Sequence, residues 1–505
     1  MIGLGTGSTA GWLGSVPGIE RVDVVELEPV IRAVAGACRS VNRDVLQNPK
    51  VHIIIGDARE VLLTSRQTYD IIFSEPSNPY RAGIASLFTR EYYEAIASRL
   101  APEGLFLQWL QAYNVDGQAV RTIYATLAST FPVIDTWELA ANDLLLIASR
   151  EPTAYDAAKL RARIAEEPYR SALALAWRAV DLEAVLGHFV ASASFARHVA
   201  DAEQGRLNID DQTLVEFGFA RMSADNLALS GKDIRKLARS RSEHRPGGFQ
   251  GVVDWNRSEE EWASFLIGEE ETDDPPDFLG QEPKARLHAQ AQFLAGDPAK
   301  AVAFWFSQRS DPRTPTELAA LAESLASGGD ERARTYVERL RVYQPTEADA
   351  IEARLYLRQG KPREATAAIE AAFERHRRDA WPWAVIGRHA FDTAEEITRV
   401  DPSMANRVYA ALAQPLPVFL HEDRRLGTML KIAMHAKIDV PCARTLELFE
   451  PYVPWQRDVL DWRAECYRGA GHPKTGPALA DVAELRSQLP VAFEAGLTTT
   501  TTREQ

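Results

Sequence analysis

Residues able to do chemistry occur at four places within the first eighty positions, each directly after a short apolar run. They are, in chain order, the glycines Gly3, Gly5 and Gly7, then Glu26, then Asp57, and finally Glu75. In an open α/β sheet, ligands bind in the crevice outside the carboxyl ends of the strands. Glycines let the backbone approach a ligand closely, and carboxylates accept hydrogen bonds from its hydroxyl and amino groups. Four such strand ends in this order predict a nucleoside site more strongly than a single glycine motif does.

Each of these residues has an expected role at a nucleoside. Glu26 follows the glycines by about twenty residues, the spacing at which an acidic side chain accepts hydrogen bonds from both ribose hydroxyls. Asp57 is expected to accept a hydrogen bond from the adenine amino group, with Ala58 packing beside the ring. The alternative role for Asp57 is that of a helix N-cap. The Gly-x-Gly-x-Gly form, without a second mononucleotide-binding half, favours one adenosyl ligand of the S-adenosylmethionine type over NAD.

The elements that must position these residues alternate between β-branched runs and amphipathic stretches over residues 1–150. This alternation predicts a Rossmann-like α/β domain, of the type found in S-adenosylmethionine-dependent methyltransferases, with a parallel sheet and crossover helices. The expected elements are strands at Val22–Glu26, Val51–Ile55, Asp70–Phe73 and Leu105–Leu110, a hairpin of Val133–Leu139 and Leu144–Ser149, and a helix from Leu87 to Leu100. Farther along, Leu207–Asp211 is expected to be a solvated surface turn and Leu214–Phe217 a short strand.

An all-α repeat domain is predicted for the C-terminal part of the chain. Ala301, Ala333 and Ala365 each follow a glycine-containing turn and recur every 32 residues. A small residue where two helices cross closely, after a glycine turn, is typical of tetratricopeptide-like repeats. We therefore expect the Rossmann-like domain over 1–221, a linker or connector over 222–285, tetratricopeptide-like repeats over 286–490 and a disordered tail over 491–505.

Composition narrows the possible functions. The 505 residues carry a net charge of −14, which argues against nucleic acid or an anionic membrane as the main partner. The three cysteines are far apart and odd in number, so we expect a cytoplasmic protein without a disulfide framework. The histidines form no metal-type cluster, and no metal site is predicted. Met1 directly precedes the glycine turn, where a strand of about five residues is normal, so a longer parent protein is expected.

A specific family resemblance emerges when the later motifs are added. Four motifs carry it: Asp57 with the two residues after it, an acidic loop, a helix start rich in aromatic residues, and a strand entry that contains Pro-Glu-Gly. In that order, they are Asp57–Arg59, Ser74–Tyr80, Leu87–Tyr93 and Leu100–Gln108. Together they resemble the spermidine synthase (polyamine aminopropyltransferase) family. The loop Ser74–Tyr80, with Ala85–Thr89 and Asn208–Asp211, is more similar still to a bacterial branch that is fused to membrane helices and followed by helical repeats.

The resemblance implies transfer of an aminopropyl group from decarboxylated S-adenosylmethionine to a polyamine, without a tightly bound cofactor. It assigns Glu26 to the ribose, Asp57 to the adenine and the glycine turn to the thio-nucleoside tail. The two aspartates of the family's Asp-x-x-Asp-Pro loop correspond here to Glu75 and Asn78. Glu75 is therefore the expected catalytic carboxylate.

The remaining expectations concern the acceptor and the partners. Asn78, Tyr80 and Gln108, with their neighbours Tyr113 and Gln111, are candidates to contact the amine. A protein partner is expected on the repeats, and a membrane only through segments of the longer parent. Two alternatives stay open at this stage: a methyltransferase that uses intact S-adenosylmethionine, and a non-catalytic nucleoside-binding or protein-interaction module.

Overall fold

A computed structural model describes residues 1–81, 83–112, 115–140, 142–218, 220–221, 229–270, 275–417 and 421–488. The N-terminal part is built on a sheet, and one further strand pair forms beside it. The strands are β1 (Val22–Glu26), β2 (Val51–Ile55), β3 (Tyr69–Ser74), β4 (Leu100–Gln111), β5 (Val133–Ala140), β6 (Asp143–Ser149), β7 (Tyr155–Asp156), β8 (Phe189–Ala191) and β9 (Phe249–Gln250).

The sheet is mixed rather than purely parallel. Strands β1 and β2 pair in parallel, as do β3 and β4, whereas β6, β5 and β8 continue from β4 in antiparallel pairs. Ile2 joins the two groups because it forms parallel bridges to Val25 on β1 and to Ser74 on β3. The predicted hairpin is β5–β6. The glycine turn, Glu26 and the residue after β3 therefore lie at neighbouring carboxyl ends of the sheet.

Nine helices precede the connector among the described residues. They are α1 (Ser8–Ser15), α2 (Ile31–Ala37), α3 (Ala58–Thr64), α4 (Arg90–Arg99), α5 (Gly117–Ala128), α6 (Ala157–Ile164), α7 (Tyr169–Ala176), α8 (Leu182–Gly187) and α9 (Ala193–Ala202). The aromatic face of α4 forms the centre of the core, where Tyr93 contacts Phe106 with ring centroids 5.8 Å apart. Phe106 also stacks on Phe131 at 5.9 Å. This packing fixes α4 against β4.

Two local predictions were wrong in detail. The expected helix from Leu87 to Leu100 is a 3₁₀ turn at Ile84–Phe88 followed by α4, because Thr89 is extended and its hydroxyl accepts the Tyr92 amide as an N-cap. The expected strand Leu214–Phe217 is a 3₁₀ turn. Its amides bond locally, and Val215 N–H donates to the Asn208 side chain, so no sheet neighbour is required.

The described part of the expected linker over 222–285 contains packed elements. Helix α10 (Gly231–Ser240) begins with a capping box formed by Ser230 and Asp233, and α11 (Trp255–Glu270) follows after β9. The basic run Lys232–Arg245 supplies a buried residue, since Arg235 donates to the carbonyls of Gly187 and Phe189 at 2.7 and 2.6 Å. The segment is therefore a structured connector in its described residues.

The C-terminal part consists of successive helices that pack on their neighbours. They are α12 (Gln281–Leu294), α13 (Pro298–Phe306), α14 (Pro315–Ser327), α15 (Ala333–Arg341), α16 (Pro345–Arg358), α17 (Pro362–His376), α18 (Ala384–Val400), α19 (Ala405–Leu412), α20 (Glu422–His435), α21 (Asp439–Glu447), α22 (Arg457–Gly469) and α23 (Thr475–Gln488). The predicted fold class, a Rossmann-like domain followed by an all-α region, is confirmed.

The 32-residue period corresponds to three helix pairs. Ala301, Ala333 and Ala365 are buried near the starts of α13, α15 and α17. The glycine in each preceding turn has φ between 72° and 78°, a left-handed conformation that a glycine adopts without steric cost. The assignment of these pairs to tetratricopeptide-like repeats stays a prediction, and the tail over 491–505 lies outside the described residues.

The cysteine prediction was wrong. Cys442 on α21 and Cys466 on α22 form a disulfide, with Cα atoms 5.7 Å apart, and Cys38 is free. The two residues are 24 positions apart in sequence, and only the packing of consecutive helices brings them together. Across the described residues, no helix is long and apolar enough to cross a membrane.

Candidate functional site

The glycine turn and the end of β3 are in direct contact. The Glu75 amide donates to the Ile2 carbonyl at 3.1 Å. Gly3 has φ +90°, and a Cβ at this position would lie 3.0 Å from the carbonyl oxygen of Glu75. A larger residue would therefore be strained and would also push the Glu75 backbone away. Gly3 positions Glu75 and packs against it instead of offering an open face to a ligand.

The other two glycines differ in their surroundings. A Cβ on Gly7 would lie 2.6 Å from the Val45 side chain, so Gly7 permits close packing below the turn. No heavy atom lies within 4 Å of a Cβ built on Gly5. Of the three glycines predicted to bind the nucleoside, Gly5 is the one whose outer face is open in the described structure.

Glu26 is held in place by the backbone of the same turn. Its Oε2 accepts from the Leu4 amide and its Oε1 from the Glu28 amide, both at 2.9 Å. A carboxylate has about four lone-pair positions, so each oxygen can accept one more hydrogen bond. The side chain is half-buried at the end of β1. Glu26 is thus a fixed double acceptor beside the glycine turn.

Asp57 adopts the alternative role of a helix cap. Its Oδ1 accepts from the amides of Arg59 and Glu60 at 2.7 and 3.3 Å and so begins α3. Ala58 is the first residue of that helix and is half-buried. Capping engages one carboxylate oxygen in these bonds, and it leaves the side chain exposed at the carboxyl end of β2.

Glu75 is the acidic residue closest in sequence to the end of β3. The Thr9 hydroxyl on α1 donates to its Oε1 at 3.0 Å. Burial raises the pKa of Glu75 above its ordinary value, and the Thr9 hydrogen bond offsets part of that increase. A half-buried carboxylate with a raised pKa beside a strand end is a candidate general base.

Two buried amide oxygens lie in the segments next to Glu75. Asn78 is 8% exposed, its amide nitrogen donates to the Tyr80 hydroxyl at 2.7 Å, and its Oδ1 has no hydrogen-bond partner. Gln108 is fully buried, its nitrogen donates to the Trp109 carbonyl, and its Oε1 also lacks a partner. Gln108 is paired in register with Ser74, the last residue of β3.

Buried polar atoms without partners are uncommon and call for a ligand, a water or an ion. Here both are acceptors, so the matching ligand group is a donor, as an ammonium or amine is. The Oε1 of Gln111 is likewise unpartnered, and Tyr113 lies outside the described residues.

Sequence reasoning missed two features of the site. Thr9 gave no signal because a threonine after a glycine turn is an ordinary helix residue. Asp210 lies in the exposed turn that was expected, but it also pairs with Arg59 through two hydrogen bonds of 2.8 and 2.6 Å. The two residues are 151 positions apart, so only the tertiary structure could reveal this pair. Asp211 is exposed, as expected.

Comparison with known proteins gives a match to the same region. Residues 1–139 match the model of the spermine/spermidine synthase domain. A polyamine aminopropyltransferase of Desulforudis audaxviator is 24% identical over 137 residues, which are 27% of this chain and 50% of that protein. A polyamine aminopropyltransferase of Mycobacterium tuberculosis (strain CDC 1551 / Oshkosh) is 34% identical over 111 residues, or 21% of each chain. The chain thus spans half the length of the first of these relatives and less of the second.

Solved structures that are similar to part of this chain were also found. A spermidine synthase in complex with the transition-state analogue AdoDATO is 18% identical, with a TM-score of 0.25, and the match covers 30% of this chain and 51% of that one. Human methyltransferase-like protein 13 in complex with SAH is 21% identical, with a TM-score of 0.24 and coverage of 30% and 70%. Residues 1–139 thus match the spermine/spermidine synthase domain, and relatives of this region are polyamine aminopropyltransferases.

Proposed function

We propose that this chain transfers an aminopropyl group from decarboxylated S-adenosylmethionine to a polyamine. The observation that carries the proposal is the half-buried carboxylate of Glu75, which is fixed against the glycine turn and has the unpartnered acceptors of Asn78 and Gln108 in the neighbouring segments. Acceptor oxygens without a cationic partner of their own match a substrate that brings N–H donors and positive charge.

The proposed donor lies along the carboxyl ends of β1 and β2. The free lone pairs of Glu26 would accept the two ribose hydroxyls, and Asp57 with Ala58 would contact the adenine. The open face at Gly5, with Gly3 and Gly7 shaping the turn, would leave room for the thio-nucleoside tail. In this arrangement the sulfonium end of the donor would point toward Glu75, because Gly3 and Glu75 are in contact.

Glu75 has a defined task in this reaction. An alkylammonium has a pKa near 10.4, so at neutral pH the acceptor amine must lose a proton before its lone pair can attack. The amine nitrogen then bonds to the aminopropyl carbon, the carbon–sulfur bond breaks, and its electron pair stays on sulfur to give methylthioadenosine. The proton passes to the Glu75 carboxylate. Asn78, Tyr80 and Gln108 would orient the amine, with Asn78 acting as a neutral acceptor.

For the rest of the chain, the proposal concerns the helix pairs. We propose that α12–α17 are tetratricopeptide-like and hold a protein partner, because helix-pair arrays present extended surfaces for binding. Domain limits at 221, 285 and 490 and a cytoplasmic location are proposed with it.

The proposal is tested with Glu75→Gln. A positioned general base contributes about 10²–10⁴-fold, so turnover should fall by that factor while donor binding is retained. Transfer to putrescine and spermidine is measured by chromatography, and calorimetry compares decarboxylated S-adenosylmethionine, intact S-adenosylmethionine and methylthioadenosine.

Glu103→Gln changes an exposed residue near the amino-terminal end of β4, away from the site at the carboxyl ends of the strands, and this matched control should retain full activity. Preference for the intact donor would favour a methyltransferase. Nucleoside binding without any transfer would favour the non-catalytic module.

A further inference from the structure

A bidentate ion pair joins two distant segments beside the proposed donor site. The guanidinium of Arg59 on α3 donates to both oxygens of Asp210, at 2.8 and 2.6 Å, and also to the Ser86 carbonyl at 3.0 Å. Arg59 comes directly after Asp57 and Ala58, the residues proposed to contact adenine. The forked geometry fixes the direction of both side chains, which a single contact would not do.

Residues 208–210, which contain Asp210, form several further hydrogen bonds with residues 85–91. Asp210 accepts from the Thr89 hydroxyl at 2.7 Å, and its amide donates to Glu91 at 3.0 Å. The Asn208 side chain is buried and donates to the Ala85 carbonyl at 3.2 Å, and the Asn208 main-chain carbonyl accepts from the Arg90 amide at 2.9 Å. The segment is therefore tied to residues 85–91 by both main-chain and side-chain bonds.

These contacts link the two halves of the proposed site. Residues 85–91 continue from the loop that carries Glu75, Asn78 and Tyr80, whereas Arg59 belongs to the helix that begins at the adenine end. Arg59 also contacts residue 86 directly. A displacement of Asp210 would thus alter the separation between the start of α3 and the loop after β3.

We propose that Arg59 and Asp210 are positioning residues that hold the adenine end of the donor site at a fixed distance from the loop carrying Glu75. This inference rests on the proposed function and adds to it two residues that touch neither the reacting carbon nor the amine. The pair is part-exposed, with side-chain exposures of 23% and 39%. Water screens the charges of a part-exposed pair, whereas the forked contact fixes the direction of both side chains, so the expected effect is on the site geometry.

The test is a double-mutant cycle of Arg59→Gln and Asp210→Asn in the full chain. Each single change should weaken methylthioadenosine binding by about threefold to tenfold, which lies within the roughly twofold to thirtyfold range for residues in a coupled network. The KM for the decarboxylated donor should rise more than kcat falls. The double variant should be little worse than either single one, because both remove the same interaction. Arg59→Lys, which keeps the charge and loses the fork, should be intermediate.

Arg358→Gln is the matched control. Arg358 and Glu396 form a forked pair of 2.5 and 3.0 Å with exposures of 36% and 28%, located between α16 and α18. This variant should bind the nucleoside as the wild type does. If Arg59→Gln loses secondary structure by circular dichroism, Asp210→Asn and Arg59→Lys provide the same readout.

The outcomes separate this inference from the proposed function. Wild-type affinity and an unchanged ratio of kcat to KM in Arg59→Gln and Asp210→Asn, with a wild type that binds the nucleoside, would overturn the positioning role alone. A wild type that binds no adenosyl compound would overturn both.

Discussion

At the residue scale, the pKa of Glu75 depends in part on a hydrogen bond that a mutation can remove. Burial raises its pKa and the Thr9 hydroxyl lowers it by bonding the charged form. The deprotonated form is the active base, so the acidic limb of kcat/KM should lie above the ordinary pKa of a glutamate.

Removing the Thr9 hydroxyl should move that limb further up in pH. In Thr9→Val the charged carboxylate loses a hydrogen bond, so the pKa of Glu75 rises and activity is lost at a higher pH as the medium is acidified. The measurement is a pH profile of kcat/KM between pH 4 and 9. The Thr6→Val variant serves as control, because the Thr6 hydroxyl bonds Ser8 and not Glu75. A limb that stays in place, or moves down, would contradict the assignment.

At the scale of elements, the connector is held to the sheet by buried charge. Glu259 on α11 lies 3.3 Å from Arg235 and 2.7 Å from Arg239, both on α10. Burial opposes ionisation of this carboxyl, but the His244 bond and the two arginines outweigh it and lower the pKa of Glu259 to about 2. The Arg235 head group in turn caps carbonyls at the end of α8 and on β8.

The Arg235–Glu259 ion pair should make the stability of the connector depend on pH in the acidic range. A carboxyl with a depressed pKa stabilises the fold above its unfolded pKa, near 4.3, and that contribution is lost as pH falls toward about 2. Arg235→Met should destabilise the domain by about 3–5 kcal/mol, because it leaves a buried carboxylate short of a partner. Urea unfolding at pH 7 and at pH 3 measures both effects, and the difference between wild type and variant should shrink at pH 3. An equal difference at both pH values would contradict this account.

The disulfide gives a second prediction for the helices. If Cys442 and Cys466 are joined, thiol titration of the denatured, unreduced chain should find one free thiol, Cys38, and three after reduction. Closing a loop of this length stabilises a fold by about 3 kcal/mol in the chain-entropy model. Cys466→Ser should lower the unfolding temperature of the helical region, whereas Cys38→Ser should not. Three thiols without reductant would show that the bond does not form in solution.

At the scale of the whole molecule, nucleoside binding should stabilise only part of the chain. The proposed site uses α1, α3 and β1–β3, whereas the helical region has its own core built from residues such as Phe373 and Phe391. Calorimetry should therefore show two transitions. Methylthioadenosine at about a hundred times its dissociation constant should stabilise the first by about 2.7 kcal/mol and leave the second in place. A single transition that shifts as a whole would instead indicate that the two regions unfold together.

Sequence alone determined the identity and order of the main elements. The runs that became β1, β2 and β3, the hairpin and the 32-residue period carry their own signals, because alternation and glycine turns act over a few neighbouring residues. Those local signals also singled out Glu26, Asp57 and Glu75. The same signals do not say which of these residues lie close together in the fold.

Tertiary structure alone decided which of these residues meet and what they bond. The contact of Gly3 with Glu75, the Thr9 hydrogen bond, the Arg59–Asp210 pair and the disulfide join residues between 24 and 151 positions apart. No local pattern encodes such a pair, because each partner satisfies ordinary helix, turn or loop preferences by itself. The pairs form only when the sheet order and the helix packing have fixed the distances between their elements.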